Sequence, residues 1–231
     1  MRVFLTKEML QWFHLTVIIE MKSIIIGAGT YGEVYLDYLS DAGIEIIGFV
    51  DDDPKFEGQL VRGVPVLGTI PDLGKLKEQY QVEAVYCPIG NNKLRVSFLE
   101  KAKEIGLKTP SFVHPSAIIA KSVEIGEGVY ILIGVHIMPY TKLDDYVMIS
   151  MNALICHHSH LCKGTFVSNG VNFGASLTAK PYSYIGMGAT VMTGVREIGE
   201  NCLIGAGAVV IKDVPDNAIM AGVPAKVIKF H

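Results

Sequence analysis

The sequence predicts a small Rossmann-like α/β unit followed by a parallel β-helix of hexapeptide repeats. Three observations carry that prediction. An apolar, usually aliphatic residue returns at every sixth position between Ile119 and Val210. A Gly27-Ala28-Gly29-Thr30-Tyr31-Gly32 turn stands between a predicted strand and a predicted helix. Fewer than a hundred residues separate Met21 from the first hexad.

The chain has 231 residues, enough for one large or two modest domains with real cores. Its formal charge of −3 gives no electrostatic case for nucleic acid or an anionic membrane. Cys87, Cys156, Cys162 and Cys202 form no CxxC pair, and they fit a reducing cytoplasm.

Residues 1–20 read as an appendage, consistent with an upstream start. Their apolar run at 12–19 is too short to span a bilayer, and no small-residue cleavage site follows it. A membrane-surface helix is the alternative reading. Residues 21–110 read as the α/β unit. Ser23 to Ile26 is a buried strand, a helix follows over 31–39, and Gly43 stops it. A second strand over 44–50 ends in Asp51-Asp52-Asp53. GxGxxG with an acid about twenty positions on is a nucleotide signature: the glycines admit a diphosphate, the helix N-terminus attracts its charge, and an Asp grips ribose hydroxyls. Residues 54–70 read as a Gly/Pro-punctuated connection, 71–80 and 93–105 as helices, and 82–89 as a strand ending at Gly90-Asn91-Asn92. Only one βαβαβ half is clearly present, so a mononucleotide such as the UDP of a nucleotide sugar fits better than NAD. The competing reading is a degenerate unit with no ligand.

Residues 111–231 carry the β-helix. The repeated positions are Ile119, Ile125, Ile131, Ile137, Leu143, Ile149, Ile155, Leu161, Val167, Phe173, Ala179, Ile185 and Val191. After one extra residue come Ile198, Ile204 and Val210. Neither the helical nor the strand period produces a sixfold step, so short strands that point one aliphatic inward and then turn a corner are implied. Stacked coils bury a column that no single repeat buries alone. Glycine often follows the aliphatic, as in Ile125-Gly126, Ile185-Gly186, Ile198-Gly199 and Ile204-Gly205. The expectation is that it supplies backbone angles a Cβ forbids. The polar turn at 213–217 and the residues up to Ile228 are expected to cap the open end.

Chemistry concentrates in Cys156-His157-His158-Ser159-His160. Ile155 points inward, so His157 should lie outside near a corner, where a neutral imidazole can act as a general base. Two other readings stand beside that one: a chemically idle surface run, and a metal site shared with Cys156 or Cys162.

These motifs, with Ile89-Gly90-Asn91-Asn92-Lys93-Leu94-Arg95 and Gly222-Val223-Pro224-Ala225-Lys226, resemble one family over nearly everything from Met21 onward. It is the nucleotide-sugar acetyltransferases that join a Rossmann-like domain to a left-handed β-helix, the bacillosamine-pathway N-acetyltransferase and sialic-acid O-acetyltransferase group. The resemblance implies a cytoplasmic homotrimer with acetyl-CoA as co-substrate in the cleft between β-helices, and no resident metal. It implies that Gly29, Thr30, Tyr31, Asp51, Asp52, Gly90 and Lys93 hold a UDP- or dTDP-linked amino sugar for surface-glycan synthesis. His157 takes the place of the family's base, with His158 beside it. Met187 and Ala206 take positions lining the acetyl-CoA cleft, and Phe166 stands where relatives often carry a second histidine near the cofactor. Relatives usually flank the base with carboxylates; here Cys156 and His158 occupy those places. That departure keeps a non-catalytic nucleotide-sugar sensor in view. A metal-dependent enzyme similar to γ-class carbonic anhydrases is the other alternative. An NAD oxidoreductase fits poorest, because the second half-domain is absent.

Overall fold

The computed structural model describes residues 21–231, so the appendage expected over 1–20 lies outside the described residues. The described chain forms two compact units. One takes the residues up to Pro88 and Lys101–Thr109; the other takes Ile89–Glu100 and Pro110–His231.

The first unit is a five-stranded sheet. β1 (Ser23–Ile26) is an apolar run with no exposed residue, which is what a strand buried on both faces requires. It leads through the glycine turn into α1 (Thr30–Asp41), and β2 (Ile46–Val50) returns parallel to β1. The 54–70 stretch is more ordered than its glycines and prolines suggested. β3 (Leu60–Val61) and β4 (Val64–Gly68) form a hairpin, and β4 lies parallel on β2. Its two-residue turn is Arg62-Gly63, with φ of 50° and 83°, the double positive φ of a primed hairpin turn. α2 (Leu73–Tyr80) leads to β5 (Ala84–Tyr86), parallel to β1 on its other side. The last helix, α3 (Asn92–Glu104), belongs to both units, its first nine residues to the second.

The second unit is a left-handed parallel β-helix whose two-residue strands build three faces. The first face stacks six strands, among them His136–Ile137, Leu154–Ile155, Asn172–Phe173 and Thr190–Val191. The second face stacks five, including Lys142–Leu143 and His160–Leu161. The third has eight, including Met148–Ile149, Phe166–Val167, Tyr184–Ile185 and Leu203–Ile204. Partners lie one coil apart, as in His136↔Leu154 and Ile137↔Ile155. The inserted residue falls at one corner, Met192 to Arg196, where Gly194 has φ 105° and the register steps from Thr178 to Glu197.

From Ile131 on, the sixfold column is the core, every member buried, while Ile119 and Ile125 are half-buried at the starting end. A second inward position four residues past each of these was not marked by the period. Val129, Val135, Val147, Val171 and Leu177 fill it, and so do buried hydroxyls at Thr141, Ser159, Thr165 and Ser183. Those of Thr141, Ser159 and Thr165 donate to corner carbonyls of the next coil, as from Ser159 Oγ to Gly174 O at 3.0 Å, and Ser183 pairs with the Thr165 hydroxyl, which repays their burial.

The corner glycines act differently from the expectation. The left-handed residue sits three positions past the aliphatic, at Tyr140, Tyr146, Asn152, His158, Ser176, Tyr182 and Asn201, and at glycines such as Gly134, Gly164 and Gly188. Gly126, Gly186 and Gly199 are not left-handed. A Cβ on Gly186 would stand 2.5 Å from Ile204 O and one on Gly199 2.4 Å from Asp216 N. They are glycine because the next coil passes against them.

The chain ends in Ala218–Ala221, which extends the third face, and the antiparallel strand Lys226–Phe230. The outer strand is fully exposed and carries Lys226 and Lys229, charges that discourage edge pairing. Among the described residues no helix is long and apolar enough to cross a membrane.

Candidate active site

In the first unit the glycine turn is built as a cradle. Gly27 has φ 104°, a conformation unfavourable to other residues. A Cβ on Gly32 would lie 2.1 Å from Gly27 O, so helix and turn meet without a side chain between them. Around Gly29 a Cβ would meet nothing within 4 Å. Gly29 is also the N-cap of α1, and no side chain caps that end. An uncapped helix start over open space offers N–H donors and positive potential to an anion. Thr30 is exposed and Tyr31 half-buried on the first turn.

Asp51 and Asp52 follow the carboxyl end of β2; Asp51 braces this turn and Asp52 the segment after β4. Asp51 Oδ2 accepts from Ala28 N–H at 2.7 Å and its Oδ1 from Asp53 N–H at 2.9 Å. Asp52 Oδ1 accepts from Ile70 N–H at 2.9 Å. Each carboxylate keeps acceptor capacity for a ligand hydroxyl after these bonds.

In the second unit, Gly90 and Lys93 are exposed beside two anchored neighbours. Asn92 Nδ2 donates to Tyr182 O at 2.9 Å and Ser183 O at 3.0 Å. Arg95, fully buried, donates from Nη1 to Ile89 O and from Nη2 to Gly164 O, both at 2.8 Å. Arg95 thereby fixes the segment bearing Gly90 to a β-helix corner. Its role was legible in the helical spacing of buried Asn92, Arg95, Val96, Leu99 and Ala102.

His157 lies where the repeat placed it, exposed on the corner between the first and second faces. Its Nδ1 is 3.0 Å from His158 Nδ1, with the rings edge to face. His158 holds the left-handed corner position at φ 56°, which turns its ring back towards its neighbour. Tyr140 fills the same corner one coil earlier, its ring 4.8 Å from that of His158. Tyr140 was missed, though counting back one coil from His158 reaches it. Among the described residues neither His157 nor His158 has a carboxylate ion-pair partner; Asp144 pairs instead with His160, at 2.9 Å.

Two ring nitrogens at that distance share one proton. When His157 donates Nδ1–H to His158 Nδ1, the His157 Nε2 lone pair faces outward and can accept a proton. With the opposite tautomers His158 donates and His157 Nε2 carries the proton, so an imidazole neighbour admits both directions where a carboxylate would admit one.

The three residues expected at the cofactor do not share a place. Met187, 58% exposed, and Ala206, also exposed, stack at the corner between the third and first faces, where Gly207 N–H donates to Met187 O at 2.8 Å. Phe166 is 5% exposed on the third face, packed against Tyr184 and under the Arg95 guanidinium. Within the chain Phe166 supports α3 and leaves little of its own surface to a ligand.

Residues 22–102 match the PglD N-terminal domain family. The solved complex of a histidine-to-alanine mutant of GDP-perosamine N-acetyl transferase from Caulobacter crescentus, with CoA and GDP-perosamine, is 32% identical; it covers 90% of this chain and 97% of that one, at a TM-score of 0.84. The acetyltransferase domain of PglB from Neisseria gonorrhoeae is 30% identical, over 90% of this chain and 100% of that one, at a TM-score of 0.82. The chain belongs to the hexapeptide-repeat nucleotide-sugar acetyltransferases. Galactoside O-acetyltransferase of Lactococcus lactis is 31% identical over 46% of this chain and 52% of its own length. The chain spans about half the length of the curated relatives it matches. Its kinship with nucleotide-sugar acetyltransferases runs through both units.

Proposed function

We propose that the protein transfers the acetyl group of acetyl-CoA to the amino group of a nucleoside-diphosphate-linked sugar used in surface glycans. The observation that carries this is the likeness over almost the whole chain to an enzyme whose solved complexes hold CoA and GDP-perosamine. Solved mutants of that relative replace a histidine by alanine or asparagine, which fits a base at His157.

In this reading the diphosphate meets the N-terminus of α1 at Gly29, Thr30 and Tyr31, and Asp51 and Asp52 take hydroxyl or base N–H groups. Gly90 and Lys93 contact the sugar side. The sugar nitrogen attacks the thioester carbonyl and His157 Nε2 takes its proton. The C–N bond forms first, giving a tetrahedral oxyanion that a backbone N–H stabilises; its collapse breaks the C–S bond, and the proton passes from His157 to the departing thiolate of CoA. The family resemblance suggests a trimer whose neighbouring copies complete the acetyl-CoA cleft, and the placement of Met187 and Ala206 on a different corner from His157 is compatible with that. UDP and dTDP are the expected carriers, and the Caulobacter relative adds GDP to the set.

Thiol release from acetyl-CoA, with amino sugars on UDP, dTDP and GDP, tests the assignment. Turnover should fall on the order of 10²–10⁴-fold in His157→Ala while acetyl-CoA still binds. Turnover that survives that change removes His157 as the base. The missing carboxylate favours a second reading, a nucleotide-sugar sensor. Binding of the nucleotide sugar without turnover for any carrier would establish the sensor instead.

A further inference from the structure

The second face holds a cluster that the acetyl-transfer reading leaves unused. His160 opens its strand with the ring outward, and Cys162 follows the inward Leu161. One coil below, Asp144 holds the position equivalent to Cys162. His160 Nε2 is 2.9 Å from Asp144 Oδ2 and 3.9 Å from Cys162 Sγ, and all three ligand atoms lie within 4.8 Å of one another. A tetrahedral zinc ion with ordinary bond lengths separates nitrogen from oxygen by about 3.3 Å and nitrogen from sulfur by about 3.6 Å. Both measured separations are within about 0.4 Å of those values.

The geometry points to a site for a thiophilic divalent cation, zinc or cobalt, held by Asp144 Oδ2, His160 Nε2 and Cys162 Sγ with a fourth position open. An Asp–His ion pair alone accounts for two of these groups and leaves the thiol unexplained. The donor set of one thiolate, one imidazole and one carboxylate suits zinc and is too soft for magnesium or calcium. Lys142 does not block it: its ammonium lies 3.6 Å from Asp144 Oδ1, the oxygen turned away from His160. All three residues are half-buried, and Asp144 also lines an open groove of about 390 Å³ with Glu124, Lys142, Asp145 and Lys163, so solvent ions reach it. Burial, with the Asp144 charge beside it, pushes the Cys162 thiol up, so binding releases a proton and weakens as pH falls. The site is independent of the acetyl-transfer assignment.

Cobalt titration of the chelator-treated protein tests it. One equivalent per chain should give a near-ultraviolet thiolate-to-cobalt band together with four-coordinate visible bands, and zinc should bleach both. Cys162→Ser should abolish the near-ultraviolet band, and His160→Gln and Asp144→Asn should weaken binding at least about tenfold. Cys156→Ser should leave the titration unchanged; Cys87 and Cys202 are buried and out of reach. A featureless titration, or a thiolate band that persists in Cys162→Ser or vanishes in Cys156→Ser, would overturn the site. Circular dichroism of each variant separates ligand loss from unfolding.

Discussion

Gly29 and Gly32 stand three residues apart, yet substitution should affect them in opposite ways. Alanine at Gly32 drives a methyl to 2.1 Å from Gly27 O, so the helix or the turn must move. A loss of about 1–3 kcal/mol in unfolding free energy is expected, with nucleotide-sugar affinity falling alongside. Alanine at Gly29 meets no atom within 4 Å and keeps an allowed φ of −74°. Its melting temperature should match wild type while nucleotide-sugar KM rises, because only the ligand's space is taken; an unchanged KM would remove the diphosphate from this turn. At the histidine pair, His158→Glu supplies the carboxylate that relatives carry. It should raise kcat, whereas His158→Ala should lower it about tenfold, or ~1.4 kcal/mol in the barrier. Equal kcat in all three proteins would leave His158 without a positioning role.

The corners decide how the β-helix elements are joined, and one of them carries a pH dependence. Asp213 Oδ1 accepts from Arg196 N–H at 2.6 Å and Glu197 N–H at 3.3 Å, at the end of the five-residue corner. Those two backbone bonds hold its carboxyl below the usual range. A lowered folded pKa means stability that is present above the unfolded value of about 3.9 and is lost as pH falls through the folded pKa. Asp213→Asn should therefore melt lower than wild type near neutrality, the two curves converging in acid below about pH 4. A gap that persists in acid would show that the side chain acts through packing. The same corners mark what the sequence disclosed. Sixfold spacing announced the inward column because burial selects aliphatics there. It concealed the second inward position, where Thr141, Ser159, Thr165 and Ser183 satisfy themselves by hydrogen bonds and look polar in the sequence. It also misassigned the glycines: close approach of the next coil and left-handed backbone both select glycine, and composition cannot separate the two causes. The β3–β4 hairpin escaped notice because its strands are short and its Arg62-Gly63 turn lacks the usual asparagine or aspartate. Asp144 carries no mark of a metal ligand in the sequence because its partners lie a coil away, outside any local motif.

For the whole molecule, the proposed reaction draws His157 and the Met187–Ala206 corner from neighbouring copies, and that requirement is testable. Sedimentation at the mass of three 25.2 kDa chains is expected. Complementation is the sharper measurement. His157→Ala and Ala206→Arg each remove one side of the cleft, so each protein alone should be inactive. Co-expressed, they should regain activity at about a quarter of their interfaces, where an intact histidine corner meets an intact Ala206 corner. No recovery would place the whole site within a single chain. Each coil repeats the pairing of the one beneath it, so position along the β-helix axis is quantised in steps of about 4.8 Å. The chain works as a ruler. Adding or removing one complete coil between His157 and Met187 would change the reach from the histidine corner to the thioester by one graduation and leave every local bond type as it was. Selection for a longer or shorter acyl donor thus has a discrete variable to act on, the number of coils, apart from any change in the reacting groups.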